Sequence, residues 1–137
     1  MSHDFNFQFA DLVLRCITGI LLIFQGYQKA FSVNAGEIVN AFQTDFTRRI
    51  FPGSFLKFTV RLSAYIELIG GLMLLFGFQR DIALYILSAQ MVVVTFAFSL
   101  IRPMWDMQFF FPRFVFVFAL LLLPPEWDRF SIDALLK

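Results

Sequence analysis

The sequence predicts an all-α integral membrane protein, a four-helix bundle with a short amphipathic helix in the loop between spans 1 and 2. Of the 137 residues, 59% are hydrophobic and 21 are phenylalanine. A water-soluble domain of this size could hardly bury so much apolar surface in one core. Four apolar segments lie at about residues 12–31, 59–78, 82–101 and 109–123, and a helix needs about 17–25 residues to span a bilayer. A single transmembrane domain therefore covers residues 1–137.

Span 1 contains polar residues that a lipid-facing helix would not tolerate, in the stretch "LRCITGILLIFQGYQKAF". Successive residues of a helix are rotated by about 100° around its axis. At this spacing, two of the charged residues project within the same arc of about 80° as three small or apolar residues, and together they form a stripe along one face of span 1. It consists of Arg15, Gly19, Leu22, Gly26 and Lys29. Because charge facing lipid is costly, we expect this stripe to face the other helices.

The loop after span 1 is the longest connection and contains "NAGEIVNAF". Asn34 and Glu37 have capping-box spacing, and apolar residues follow four apart at Ile38, Phe42, Phe46 and Ile50. This pattern predicts a short amphipathic helix, either on the membrane surface or plugged into one end of the bundle.

The remaining connections are short. Only "QRD" follows Phe78, so spans 2 and 3 form an antiparallel hairpin, with Gly77 ending one helix and Asp81 capping the next. Span 4 ends at Pro124 and Pro125, which cannot continue a helix.

Span 2 carries the acid Glu67 among apolar residues. If spans 1 and 2 run antiparallel, Glu67 lies at a depth in the membrane between those of Arg15 and Lys29, and either side chain could reach it. Arg61 and Arg113 add further cations. In one interpretation these charges pair or reach the head groups, and fix only helix depth and register. In the other, the carboxylate and cations line a pocket for an anionic or carbonyl-bearing ligand, such as a quinone head or a sulfur oxyanion. No residue is assigned a catalytic role.

Small residues predict where spans 1 and 2 touch. Gly19 and Gly26 are seven residues apart, as are Gly70 and Gly77, and Gly71 adjoins Gly70. Glycine lets helix backbones approach closely. We expect Gly19 and Gly70 to lie at nearly the same depth.

Composition also excludes several classes of function. A net charge of +1 gives no electropositive face for nucleic acid. One cysteine and one histidine exclude an internal disulfide relay, a bis-histidine haem and a cysteine/histidine zinc site. We therefore expect no metal site and no cofactor held by the chain itself.

Three stretches, "LRCITGILLIFQGYQKAF", "YIELIGGLMLLFGFQRDIAL" and "DRFSIDALL", resemble the DoxX family of small bacterial membrane proteins in order and spacing. By this resemblance, the residues that fall on the family's pattern are Arg15, Gly19, Gly26 and Lys29 in span 1, Glu67, Gly70, Gly71, Gly77 and Arg80 in span 2, and Ser131 and Asp133 in the tail. It implies a four-helix membrane bundle. Its relatives include the DoxD-type subunit of thiosulfate:quinone oxidoreductase.

Together these observations predict a membrane subunit of a quinone-linked oxidoreductase assembly rather than a self-sufficient enzyme. A quinone is the candidate ligand, and membrane lipid, a redox or membrane subunit and a second copy of the chain are candidate partners. The first alternative is a non-enzymatic scaffold or assembly partner. A transporter of a small anion or lipid is ranked after it. The expected location is the bacterial inner membrane. Both termini are placed on one side, outside the cytoplasm, because Arg48, Arg49, Lys57 and Arg102 lie in or beside the other loops.

Overall fold

A computed structural model describes residues 3–42, 50–101 and 107–136, with side chains for 4–40, 50–97 and 111–136. This part of the chain contains helices and turns and no strand. The helices are α1 (His3–Tyr27), a π-helical turn (Gln28–Ser32), α2 (Ala35–Phe42), α3 (Gly53–Phe76), α4 (Arg80–Ile101), α5 (Met107–Leu122), a 3-10 turn (Pro125–Trp127) and α6 (Ile132–Leu135).

Three helical stretches of the described chain are long and apolar enough to cross a membrane: Asp4–Ser32, Gly53–Phe76 and Arg80–Ala97. They correspond to the first three predicted spans, although α1 and α3 begin earlier than the apolar runs indicated. The predicted fourth span is a shorter helix, α5, of 16 residues. At 1.5 Å per residue it is about 24 Å long, less than the roughly 30 Å of a hydrocarbon core.

Helices α1 and α3 form the closest contact and run antiparallel. Gly19 lies against Gly71, and Gly26 lies against Ala64 and Leu68. A Cβ atom on Gly26 would stand 2.7 Å from the Ala64 carbonyl oxygen and 2.6 Å from the Leu68 nitrogen. Only glycine fits there without moving a backbone.

The glycines of α3 have separate roles, and Gly70 lies at nearly the same depth as Gly19, as predicted, because Gly19 contacts the next residue, Gly71. Gly70 faces Leu87 of α4, whereas its neighbour Gly71 meets α1. Gly77 is the left-handed C-cap of α3, with φ of 63°, as its position predicted, and it adjoins Arg15 and Ser131. It ends the helix there and meets α1 through the Arg15 side chain, not through a close approach of the two backbones.

The core lies among α1, α3, α4 and α5. Its buried members are Leu22, Leu74, Ala83, Leu84, Leu87, Met91, Val117 and Leu120. Most other large apolar side chains are exposed, which suits a surface that meets lipid.

The amphipathic helix of the first loop is present as α2, and it packs against α3. Ala35 and Val39 are buried on that side, while Glu37 and Asn40 are exposed. Asn34 caps the helix, but its Oδ1 accepts from the Gly36 amide at 3.1 Å, not from that of Glu37. The side chains of Phe42 and Phe46 lie outside the described residues.

Candidate functional site

Glu67 is the centre of a buried polar cluster in the middle of α3. Its side chain is 1% exposed. The Lys29 ammonium donates to both carboxylate oxygens, each at 2.7 Å. Since a buried charge is costly unless it is paired, this contact explains how the span holds an acid.

Two more helices reach the same carboxylate. Gln90 of α4 donates from Nε2 to Glu67 Oε1 at 3.0 Å and to the Ser63 hydroxyl at 2.7 Å. Arg113 of α5 donates to Glu67 Oε1 at 3.4 Å. We call Lys29, Ser63, Glu67, Gln90 and Arg113 the Glu67 cluster. It joins four segments of the bundle at one depth.

Lys29 reaches this cluster from a turn that is not α-helical. It lies in the π-helical turn that ends the first span, where the Val33 amide donates to the Gln28 carbonyl at 2.9 Å. A π turn is wider than an α turn, and such turns are frequent at functional sites. The turn presents Lys29 towards α3 next to Gly26, where the two backbones are closest.

A half-open cavity of about 150 Å³ adjoins the Glu67 cluster between α2, α3 and α4. Its walls are apolar except for Lys29, Thr59 and Ser63; they include Ile38, Val39, Leu56, Val60, Val93, Val94 and Ala97. Lys29 is 29% exposed, so its ammonium touches both the sealed carboxylate and the cavity. An apolar ligand with a hydrogen-bond acceptor at one end fits this arrangement.

A second charged cluster lies nearer the chain termini. Arg15 Nε is 3.3 Å from Asp11 Oδ2, and Arg15 Nη1 is 3.1 Å from Asp128 Oδ1. Arg80 Nη2 is 3.1 Å from Asp11 Oδ1 and donates to the Leu120 carbonyl at 2.9 Å. We call Asp11, Arg15, Arg80 and Asp128 the Arg15 cluster. Two acids and two cations balance within it.

The C-terminal tail is held by this second cluster and by a helix end. Arg15 donates to the Phe130 carbonyl at 2.7 Å. The Asp133 carboxylate accepts from the backbone amides of Gln79 and Arg80, at 2.9 and 3.0 Å. Asp133 thus caps α4, and the predicted cap Asp81 is instead exposed in the first turn.

The five charged residues predicted for one network are divided by the structure. Lys29, Glu67 and Arg113 come together. Arg15 belongs to the other cluster, beside Gly77 at the end of α3. Glu67 lies ten residues from Gly77, about 15 Å along the helix. Arg61 is exposed on α3, outside both clusters.

Three of the polar residues that build these clusters were missed from the sequence. Asp11 precedes the predicted bounds of span 1, yet it is buried in α1, so the bundle holds an acid besides Glu67. Its spacing of four from Arg15 was the available signal, because such pairs meet on a helix. Nothing local marked Gln90 or Asp128, whose partners are distant in sequence.

The comparison with protein families matches the region that holds most of these residues. The family model described as DoxX matches residues 10–100, which include Arg15, Lys29, Glu67 and Gln90 but not the tail. No curated protein and no solved structure gives a significant match. Since the matched region is well over half of the chain, this membrane protein belongs to the DoxX family.

Proposed function

We propose that this chain is a membrane subunit of a quinone-linked oxidoreductase assembly, and that it binds the quinone head group in the cavity beside Lys29. The supporting observation is the single lysine ammonium that contacts both the buried Glu67 carboxylate and an otherwise apolar cavity. The role is one of binding and orientation within the membrane.

The donors of the cavity match the acceptors of a quinone. An ammonium has three N–H donors, and Glu67 takes two of those on Lys29. The third is available to a carbonyl oxygen in the cavity. Ser63 accepts from Gln90, so its own hydroxyl proton is available as well. The apolar walls suit the ring.

Electron transfer belongs to another chain in this proposal. With one histidine and one cysteine in the sequence, this chain has few side chains with which to ligate a haem or an iron–sulfur cluster. A partner subunit that carries a redox group would oxidise or reduce the bound head group.

A second candidate is a membrane scaffold without a ligand. One observation favours it: the acids of both clusters pair with cations of the same chain. In that role the ion pairs fix the depth and register of the helices. The two candidates differ in whether the purified protein binds quinone.

The test compares quinone binding to the purified protein in mild detergent for the wild type, Lys29→Met and Glu67→Gln. We expect Lys29→Met to bind at least about tenfold more weakly, because it removes a charge-assisted hydrogen bond that contributes about 1.5–3 kcal/mol. Glu67→Gln should also bind more weakly, because the carboxylate that holds the Lys29 ammonium beside the cavity is lost. Arg61→Gln, on the exposed side of α3, is the matched control and should bind as the wild type does. A folded wild type that binds no quinone would favour the scaffold.

A further inference from the structure

We infer that the cavity between α2, α3 and α4 selects head groups with a single ring over fused two-ring head groups. This inference rests on the proposed function, since it concerns which quinones the same cavity takes. It follows from the volume of the cavity, the stiffness of its walls and the direction in which it opens.

The volume matches one ring. The cavity holds about 150 Å³, and an engineered apolar cavity of about 150 Å³ in another protein binds benzene. A fused bicyclic head group brings a second ring of similar size into the same space. Overpacking of this kind forces side chains off their rotamers and shifts backbones.

The walls resist such expansion. Four of the lining residues are valines, at positions 39, 60, 93 and 94. A β-branched side chain has few χ1 rotamers within a helix, so these four side chains cannot rotate aside as a leucine or methionine could. Val39 is buried in α2, which closes the cavity on that side.

The cavity opens towards lipid. Val93 lines it, is 54% exposed and lies in a membrane-spanning helix. A ligand enters beside Val93 from the bilayer, and its isoprenoid tail remains there. The polar end is Lys29 and Ser63, because the Thr59 hydroxyl already donates to the Phe55 carbonyl at 2.9 Å. The carbonyl-bearing ring must therefore sit inside the walls.

The experiment uses two ligands with the same decyl tail, one a benzoquinone and one a naphthoquinone. Their affinities for the purified full-length protein are measured by equilibrium dialysis in detergent, with partitioning into empty micelles subtracted. We expect the benzoquinone to bind about tenfold more tightly.

Two valine variants locate the selectivity. Val94→Ala enlarges the cavity and should reduce the preference to about threefold or less. Val92→Ala is the matched control, since Val92 is on the same helix, 67% exposed, and is not among the lining residues. It should leave the preference unchanged. Thermal unfolding checks that both variants are folded.

The outcomes separate the two proposals. If neither quinone binds the wild type, the proposed function fails. If both bind equally, or the naphthoquinone binds more tightly, the ring selectivity fails while quinone binding stands. A preference that responds to Val94→Ala no more than to Val92→Ala would also overturn the inference, because the cavity would then not be its source.

Discussion

Arg15 is a fully buried arginine within a helix that is long and apolar enough to span a membrane. Its guanidinium contacts Asp11, Asp128 and the Phe130 carbonyl at once. A planar group with five donors can serve three acceptors in different directions, whereas a lysine ammonium acts as a point charge. The residue type therefore matters here, and not only its charge.

We predict that Arg15→Lys lowers the free energy of unfolding by about 2 kcal/mol, the contribution of a hydrogen bond to a charged group. The measurement is thermal or denaturant unfolding in detergent. Arg129→Lys is the control, because Arg129 is exposed in the same tail, and a surface change of this kind stays within about 0.5 kcal/mol. Equal losses for the two variants would mean that the Arg15 geometry has no special role.

Prediction at the residue scale identified which faces of the helices are buried and left the partner of Glu67 open between two cations. The helical periodicity of span 1 predicted that Arg15 and Lys29 face the other helices, as polar groups that avoid lipid should. In the structure Arg15 and Glu67 are buried and Lys29 is partly buried. The sequence left Arg15 and Lys29 as equal candidates for Glu67. Which cation reaches it depends on the offset between two helices, set by the contact of Gly19 with Gly71 and not by either segment alone.

At the scale of elements, the contact between α1 and α3 depends on the absence of side chains. We predict that Gly26→Ala lowers the free energy of unfolding by about 1–3 kcal/mol, because the new methyl group would meet the backbone of Ala64 and Leu68 and force the helices apart. Unfolding in detergent measures this loss.

Gly36→Ala is the matched control in α2. A Cβ atom there would have its nearest neighbour at 3.5 Å, an ordinary contact. Alanine is also favoured over glycine in a helix by about 0.5–1 kcal/mol, so this variant should be neutral or slightly more stable. A Gly26→Ala protein as stable as Gly36→Ala would contradict the close-packed α1–α3 contact.

The start of α4 depends on a residue from the far end of the chain. We predict that Asp133→Ala costs about 1–2 kcal/mol, the usual loss for a helix N-cap, and speeds hydrogen exchange of the Gln79 and Arg80 amides. Asp81→Ala should cost less, since Asp81 contributes only its charge near the helix start, about 0.3–1 kcal/mol. Faster exchange in Asp81→Ala than in Asp133→Ala would reverse this assignment.

The sequence predicted the end of a helix correctly where the capping residue is next to the helix that it caps. Gly77 was identified as a helix stop, because a left-handed C-cap needs only its own backbone. The N-cap of α4 was assigned to Asp81 on the same local grounds. The structure uses Asp133 instead, since the tail brings a carboxylate onto two free amides, a contact that no short-range pattern contains.

At the scale of the whole molecule, the beginning of α1 and the tail lie at the same end. Phe7 stacks on Trp127 with ring centroids 4.5 Å apart, and Arg15 joins Asp11 to Asp128. The Arg15 cluster is therefore at the end of the bundle that carries the termini. The Glu67 cluster is deeper, and the cavity beside it extends towards α2 at the opposite end.

Charge predicts which end faces the cytoplasm. Lys57 lies near the start of α3, at the end opposite the termini. Arg48, Arg49 and Arg102 belong to the other two loops in the sequence and lie outside the described residues. Arg80 and Arg129 are at the terminal end, but Arg80 is buried in an ion pair with Asp11. Loop arginines and lysines are retained on the cytoplasmic side. The termini are therefore predicted outside the cytoplasm.

Reporter fusions test this orientation. Alkaline phosphatase fused after Lys137 should be active, because that enzyme folds only outside the cytoplasm, and a green fluorescent protein at the same point should be dark. Fusions inserted at Pro52, before α3, should give the reverse pair of results. A fluorescent C-terminal fusion with an inactive phosphatase would place the Arg15 cluster at the cytoplasmic surface. The four basic residues around the other loops would then not determine how this bundle inserts.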